Sequence, residues 1–117
     1  MTWQVDFYEE DDGTCPVEEF LTNLPATYRA KALAVIRILE EYGPNLPFPY
    51  SSQVRGRLRE LRTQFGRGKI RILYFADPRR VFILLHGIVK RTDRLEESDI
   101  RIAEQRIERH LRRLERG

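Results

Sequence analysis

Arg57-Leu58-Arg59-Glu60-Leu61-Arg62-Thr63, Lys69-Ile70-Arg71-Ile72-Leu73-Tyr74-Phe75-Ala76 and Val81-Phe82-Ile83-Leu84-Leu85-His86-Gly87-Ile88-Val89-Lys90 follow one another. Only Gln64-Phe65-Gly66-Arg67-Gly68 and Asp77-Pro78-Arg79-Arg80 lie between them. Apolar residues recur through each run, and turn-forming glycine or proline bounds them, the pattern of strands. Links this short cannot carry a crossover, so they predict an antiparallel meander. Alternation of side chains then places Leu58, Glu60 and Arg62 on one face. Lys69, Arg71, Leu73 and Phe75 oppose Ile70, Ile72 and Tyr74. On the last run Phe82, Leu84, His86, Ile88 and Lys90 point together, away from Val81, Ile83, Leu85, Gly87 and Val89. Tyr74, turned away from Arg71 unless a bulge intervenes, is assigned to the core.

Upstream, Trp3, Val5 and Phe7 alternate with Gln4, Asp6 and Tyr8, which predicts an opening strand over Trp3–Tyr8 closed by the acidic turn Glu9–Gly13. Cys15-Pro16-Val17-Glu18-Glu19-Phe20-Leu21 places proline at a first helical position and acids in the first turn, where they complement the helix dipole. This short helix ends near Leu24-Pro25. A second runs from Ala26 to Tyr42, with Ala30, Leu33, Ala34, Ile36, Ile38 and Leu39 expected on one side and Gly43 as its terminator. Gly43 to Pro49 reads as an extended crossing loop. Downstream, Ile100, Ala103, Ile107, Leu111 and Leu114 predict a helix from about Glu96. The order β-α-α-β-β-β-α implies an α+β fold, a mainly antiparallel sheet packed against an N-terminal helix pair and a C-terminal helix, with a free sheet face for a ligand.

At 117 residues the chain is expected to form one domain, 1–117, able to bury roughly two-thirds of its unfolded surface. Cys15 is the single cysteine and is read as a helix-start residue. The N-terminal residues lack a basic stretch followed by an apolar core, and the nine-residue apolar run Val81–Val89 is far short of the roughly 20 that span a bilayer, so a cytoplasmic protein without membrane association is expected. Charge is segregated. Residues 1–50 carry nine acids and three bases, a balance of −6; residues 51–94 carry twelve bases and three acids, a balance of +9; residues 95–117 carry six of each. Eighteen of the 21 basic residues are arginine, whose planar guanidinium pairs two-pronged with phosphate and stacks on bases. A solvated charged face is the alternative to a polyanion site, but concentration in the middle third favours nucleic acid.

Metal chemistry is not expected, because His86, His110 and Cys15 are not at ligand spacing. Gln64-Phe65-Gly66-Arg67-Gly68-Lys69 lacks the phosphate-loop pattern and links two strands; a basic turn is the simpler reading. Ser51, Ser52 and Ser98 fall in a loop or beside a helix start, without a base near in sequence. What remains is arginine, lysine and histidine on strands. Such a set can cut an RNA phosphodiester without metal if one group takes the 2′-hydroxyl proton, cations hold the charge growing on phosphorus, and an acid protonates the leaving oxygen. An isolated strand histidine is, however, more often a structural residue, and the arginines alone would fit a simple binder.

Leu58-Arg59-Glu60-Leu61-Arg62, Lys69-Ile70-Arg71-Ile72-Leu73-Tyr74, and Ile83-Leu84-Leu85-His86-Gly87-Ile88-Val89-Lys90-Arg91, followed by Ile100, Ala103 and Arg106, together resemble the phage-derived Gp49-like branch of the RelE/HigB toxins. The resemblance extends to the opening strand and Pro16–Leu21. It implies a RelE-like fold and an mRNA interferase that cuts message on the ribosome by 2′-hydroxyl attack, needs no cofactor, and is neutralised by a co-encoded helix-turn-helix antitoxin. It also implies that Arg62 and Arg71 serve phosphate and transition-state charge, and that His86 and Lys90 serve proton transfer and phosphate contact. Arg55, Arg57, Arg67, Lys69 and Arg91 are expected to hold the RNA backbone. Two positions depart from the branch: Arg59 stands where an aromatic is common, and Leu95-Glu96-Glu97 stands where a Thr-Pro helix start is common. A ParE-like gyrase inhibitor and an inactive RNA-binding module are the competing functions.

Overall fold

The computed structural model describes residues 2–92 and 94–117. Its elements are β1 (Val5–Phe7), α1 (Pro16–Thr22), α2 (Ala26–Tyr42), a 3-10 turn (Gly43–Asn45), β2 (Ser51–Arg55), β3 (Leu58–Phe65), β4 (Gly68–Ala76), β5 (Phe82–Lys90) and α3 (Glu97–Arg116). They build one five-stranded sheet in the order β1-β5-β4-β3-β2. β2 to β5 form the expected antiparallel meander, whereas β1 lies parallel to β5, Val5 beside Phe82 and Phe7 beside Leu84.

β2 was expected to be loop, as were Ser51 and Ser52 within it. It carries one apolar residue, Val54, and so lacks a strand's apolar alternation. Its backbone pairing with β3 makes it an edge strand, and Ser51 is buried because its Oγ meets the Tyr74 hydroxyl at 2.7 Å. Arg59 donates to the same Ser51 oxygen, so a polar cluster of Ser51, Arg59 and Tyr74 forms here.

Each sheet face carries its own core. On one, α1 and α2 bury Val17, Leu21, Val35, Ile36 and Leu39 against Leu61, Ile70, Ile72, Tyr74, Phe82 and Leu84. On the other, Ala103 and Ile107 of α3 cover Leu58, Leu73, Phe75, Ile83 and Leu85. The face expected to be free is therefore occupied. The buried stripe of α2 is Ala32, Val35, Ile36 and Leu39, a clean i, i+3, i+4, i+7 row. Ala30, Leu33 and Ala34 lie instead in solvent. Tyr74 is core, as expected, and α3 packs through Ile100, Ala103, Ile107 and Leu111.

The predicted parity of the last strand fails at one point. Leu73 pairs with His86 but Tyr74 pairs with Leu84, which leaves Leu85 as the extra residue of a bulge. Phe82 and Leu84 accordingly turn to the helix pair, while Leu85 and His86 both turn to α3. Two glycines permit close approach. A Cβ on Gly87 would lie 2.3 Å from the Phe20 ring of α1; one on Gly43, at φ 55°, would lie 2.4 Å from Trp3.

Candidate functional site

The registers of β3, β4 and β5 set three rows of side chains across the α3 face. Glu60, Leu73 and His86 form the first, Arg62, Arg71 and Ile88 the second, and Gln64, Lys69 and Lys90 the third. Strands lie about 4.8 Å apart and same-face residues about 6.8 Å apart along a strand, so the rows make one patch. Arg62 and Arg71 are direct neighbours. Glu60, nearly buried, spans both: Oε1 lies 3.7 Å from Arg62 Nη1 and Oε2 lies 3.6 Å from Arg71 Nη1.

Exposure separates the two arginines. Arg71 is 1% exposed and its Nη2 also donates to the Thr92 carbonyl at 3.3 Å, whereas the Arg62 side chain retains 15% exposure. Arg62 Nε is buried and has no hydrogen-bond partner among the described residues.

The first turns of α3 bring carboxylates over this patch. Asp99 Oδ1 lies 2.9 Å from His86 Nε2, and Glu96 Oε1 accepts from Lys90 Nζ at 2.6 Å. Glu96 is the helix N-cap yet makes no capping hydrogen bond, so its side chain serves the lysine. Arg106, two turns on, donates to the Leu85 carbonyl at 2.7 Å and approaches His86 Nδ1 at 3.4 Å. A guanidinium can only donate, so Nδ1 is the accepting nitrogen and Nε2 carries the proton given to Asp99. This pairing orients the ring and fixes its tautomer, leaving Nδ1 as the nitrogen able to take up a proton.

The remaining expected contacts scatter. Lys69 joins the third row beside Lys90. Arg67 lies in the β3–β4 turn, Arg57 in the β2–β3 turn and Arg91 just after β5, all exposed. Arg55 is different: it is clamped to Glu97 at 2.9 Å and Glu104 at 2.7 Å. Its hydrogen bonds to those two carboxylates raise its pKa, while the Arg55 hydrogen bond holds Glu104 below the usual carboxylate range against a smaller effect of burial. Arg55 thus fastens α3 to the edge of the sheet.

Glu60, Asp99, Glu96 and Arg106 complete the patch without having been singled out for it. Strand parity with Arg62 was a signal for Glu60. Asp99 had none, because its meeting with His86 depends on the bulge at Leu85 and on α3 crossing that face.

Residues 19–108 match the family described as phage-derived protein Gp49-like. No curated protein matches the chain.

Proposed function

Because the chain belongs to the phage-derived Gp49-like family, a RelE/HigB-like toxin family, we propose that it is the toxin of a toxin–antitoxin pair and acts as a metal-independent mRNA endoribonuclease. The observation that carries this reading is the His86–Asp99 pair set on the same sheet face as Arg62 and Lys90. His86 takes the 2′-hydroxyl proton once Arg106 turns from Nδ1 to the phosphate, and Asp99 stabilises the imidazolium that results. The 2′-oxygen then attacks phosphorus, the bond to the 5′-oxygen breaks, and the leaving oxygen receives the proton that the His86 imidazolium gives up, which restores the neutral ring. Arg62 and Lys90 hold the charge that grows on the phosphoryl oxygens. Arg71 is too buried to meet the phosphate in this arrangement and positions Glu60 and Arg62 from behind.

The partner implied by a toxin family is an antitoxin, for which we propose the helix-turn-helix type. Message held on the ribosome is the proposed substrate, since a slow active centre benefits from RNA already fixed in place. The test is cleavage of message on purified ribosomes, with ends mapped for the wild type, Arg62→Ala and His86→Gln. Each variant should lose about 10²–10⁴-fold in rate while keeping its fold. Wild-type rates in both would remove this patch from the chemistry. A second reading, an RNA binder that does not cut, draws on the engagement of both His86 nitrogens and of Lys90 by neighbouring residues; message protected from added nuclease without new ends would favour it.

A further inference from the structure

Arg62 also borders a cavity at the open edge of β3, between that strand, α2 and Pro49–Tyr50, and this one has no part in the chemistry above. Its volume is about 330 Å³, near the lower end of the roughly 300–1,000 Å³ of small-ligand sites. Ala34, Val35 and Ile38 of α2 form one wall, Pro49 and Tyr50 another, and Thr63 and Gln64 of β3 the polar side. Lys31, Arg62 and Lys69 also line it, and among the described residues no carboxylate does. Two aromatic rings stand at this end of the sheet: Tyr50 is 46% exposed, and Phe48, 69% exposed, lies under the Arg62 guanidinium at 5.2 Å.

Among the described residues no strand pairs with the outer edge of β3 beyond Arg62. β2 begins at Ser51, opposite Leu61, and the Arg62 N–H reaches the Tyr50 carbonyl at 2.9 Å. Beyond that bond β3 is a sheet edge, and the alternation that turns the Arg62 backbone outward turns that of Gln64 outward too. An apolar wall, a strand edge, exposed aromatics and a cationic rim are what single-stranded nucleic acid requires: a base stacks, its edge hydrogen-bonds, and its phosphate meets arginine or lysine.

We infer that this cavity is a nucleotide subsite, holding one unpaired base of the RNA with its phosphate toward Arg62. The inference rests on the endoribonuclease reading, to which it adds the source of base preference: Arg62 belongs to both places, so the base held here flanks the bond that is cut.

The experiment uses the full chain, with Ala34→Trp to fill the cavity from an exposed helix position and Tyr50→Ala to remove its aromatic wall. Neither residue takes part in the chemistry. Amide resonances are followed while adenosine 5′-monophosphate, cytidine 5′-monophosphate or inorganic phosphate is added, and ribosomal cut sites are mapped in parallel. The expected result is movement of Ala34, Ile38, Tyr50 and Thr63 with nucleotide but not with phosphate, weakened about tenfold or more in both variants. Base bias beside the cut should flatten while cutting continues. Identical shifts from phosphate and nucleotide, confined to Arg62 and Lys69, would overturn the subsite, as would unchanged base bias in both variants. If ribosomal cleavage is absent yet nucleotides still move the cavity amides, the endoribonuclease reading fails and the cavity stands as a nucleotide site.

Discussion

Arg62 and Arg71 read alike in sequence, each a strand arginine in a basic segment, and the structure gives them different physical positions. Arg71 is enclosed with Glu60, so removing its charge takes the more deeply buried of two cations from a carboxylate that is only 4% exposed. Breaking a buried pair in this way costs about 3–5 kcal/mol. Arg71→Met should therefore lower the urea midpoint markedly, whereas Arg62→Ala should lower activity with a much smaller loss of stability. Equal stability losses in urea melts of the two variants would contradict this division. Residue identity was legible for the arginines, His86 and Lys90, since each lies on a strand recognisable from its apolar neighbours. Burial was not, because it depends on α3 crossing a face that the pattern left open.

At the level of elements, the meander and all three helices were legible, because their apolar periodicities are strong and their turns carry glycine or proline. β2 and the bulge at Leu85 were not. An edge strand needs little apolar character when its backbone pairs on one side only, and an inserted residue in a continuous apolar run such as Ile83-Leu84-Leu85 leaves no trace in composition. The bulge determines the site: without it His86 would turn toward the helix pair and away from Asp99. Packing between elements is equally specific at Gly87, where the Phe20 ring occupies the space of a side chain. Gly87→Val should push α1 off β5 and cost about 1–3 kcal/mol, seen as a lower melting temperature. Phe20→Ala in the same chain should recover part of that loss; no recovery would mean that this contact is not the source.

Across the whole molecule, α3 is held to the sheet at both ends by charge. Near its start Arg55 grips Glu97 and Glu104; near its end His110 meets Asp77 Oδ2 at 3.0 Å. Asp77 also accepts from Arg79 and from the Arg79 and Val81 amides, closing the β4–β5 turn. Burial pushes the Asp77 carboxyl upward, but the Arg79 and His110 hydrogen bonds, with those amides, bring it to a net position below the usual carboxylate range. A folded-state pKa below the unfolded one stabilises the fold above the ordinary carboxylate pKa of about 4, and that contribution is lost as pH falls through the depressed value. Denaturation midpoints of the wild type should thus drop below about pH 4, and Asp77→Asn should start lower at neutral pH and fall less steeply; parallel curves would refute the assignment. Among the described residues no helix is long and apolar enough to cross a membrane.

The parallel seating of β1 against β5 also governs when the molecule can exist. β1 leaves the ribosome early, but the strand that receives it ends at Lys90, and the carboxylate that orients His86 follows at Asp99. Contacts so distant in sequence close late and slow the search for the native topology. A nascent chain still short of Asp99 has Arg62, Arg71 and His86 but lacks the carboxylate that orients the imidazole, so the patch takes its final form only once α3 has begun to emerge.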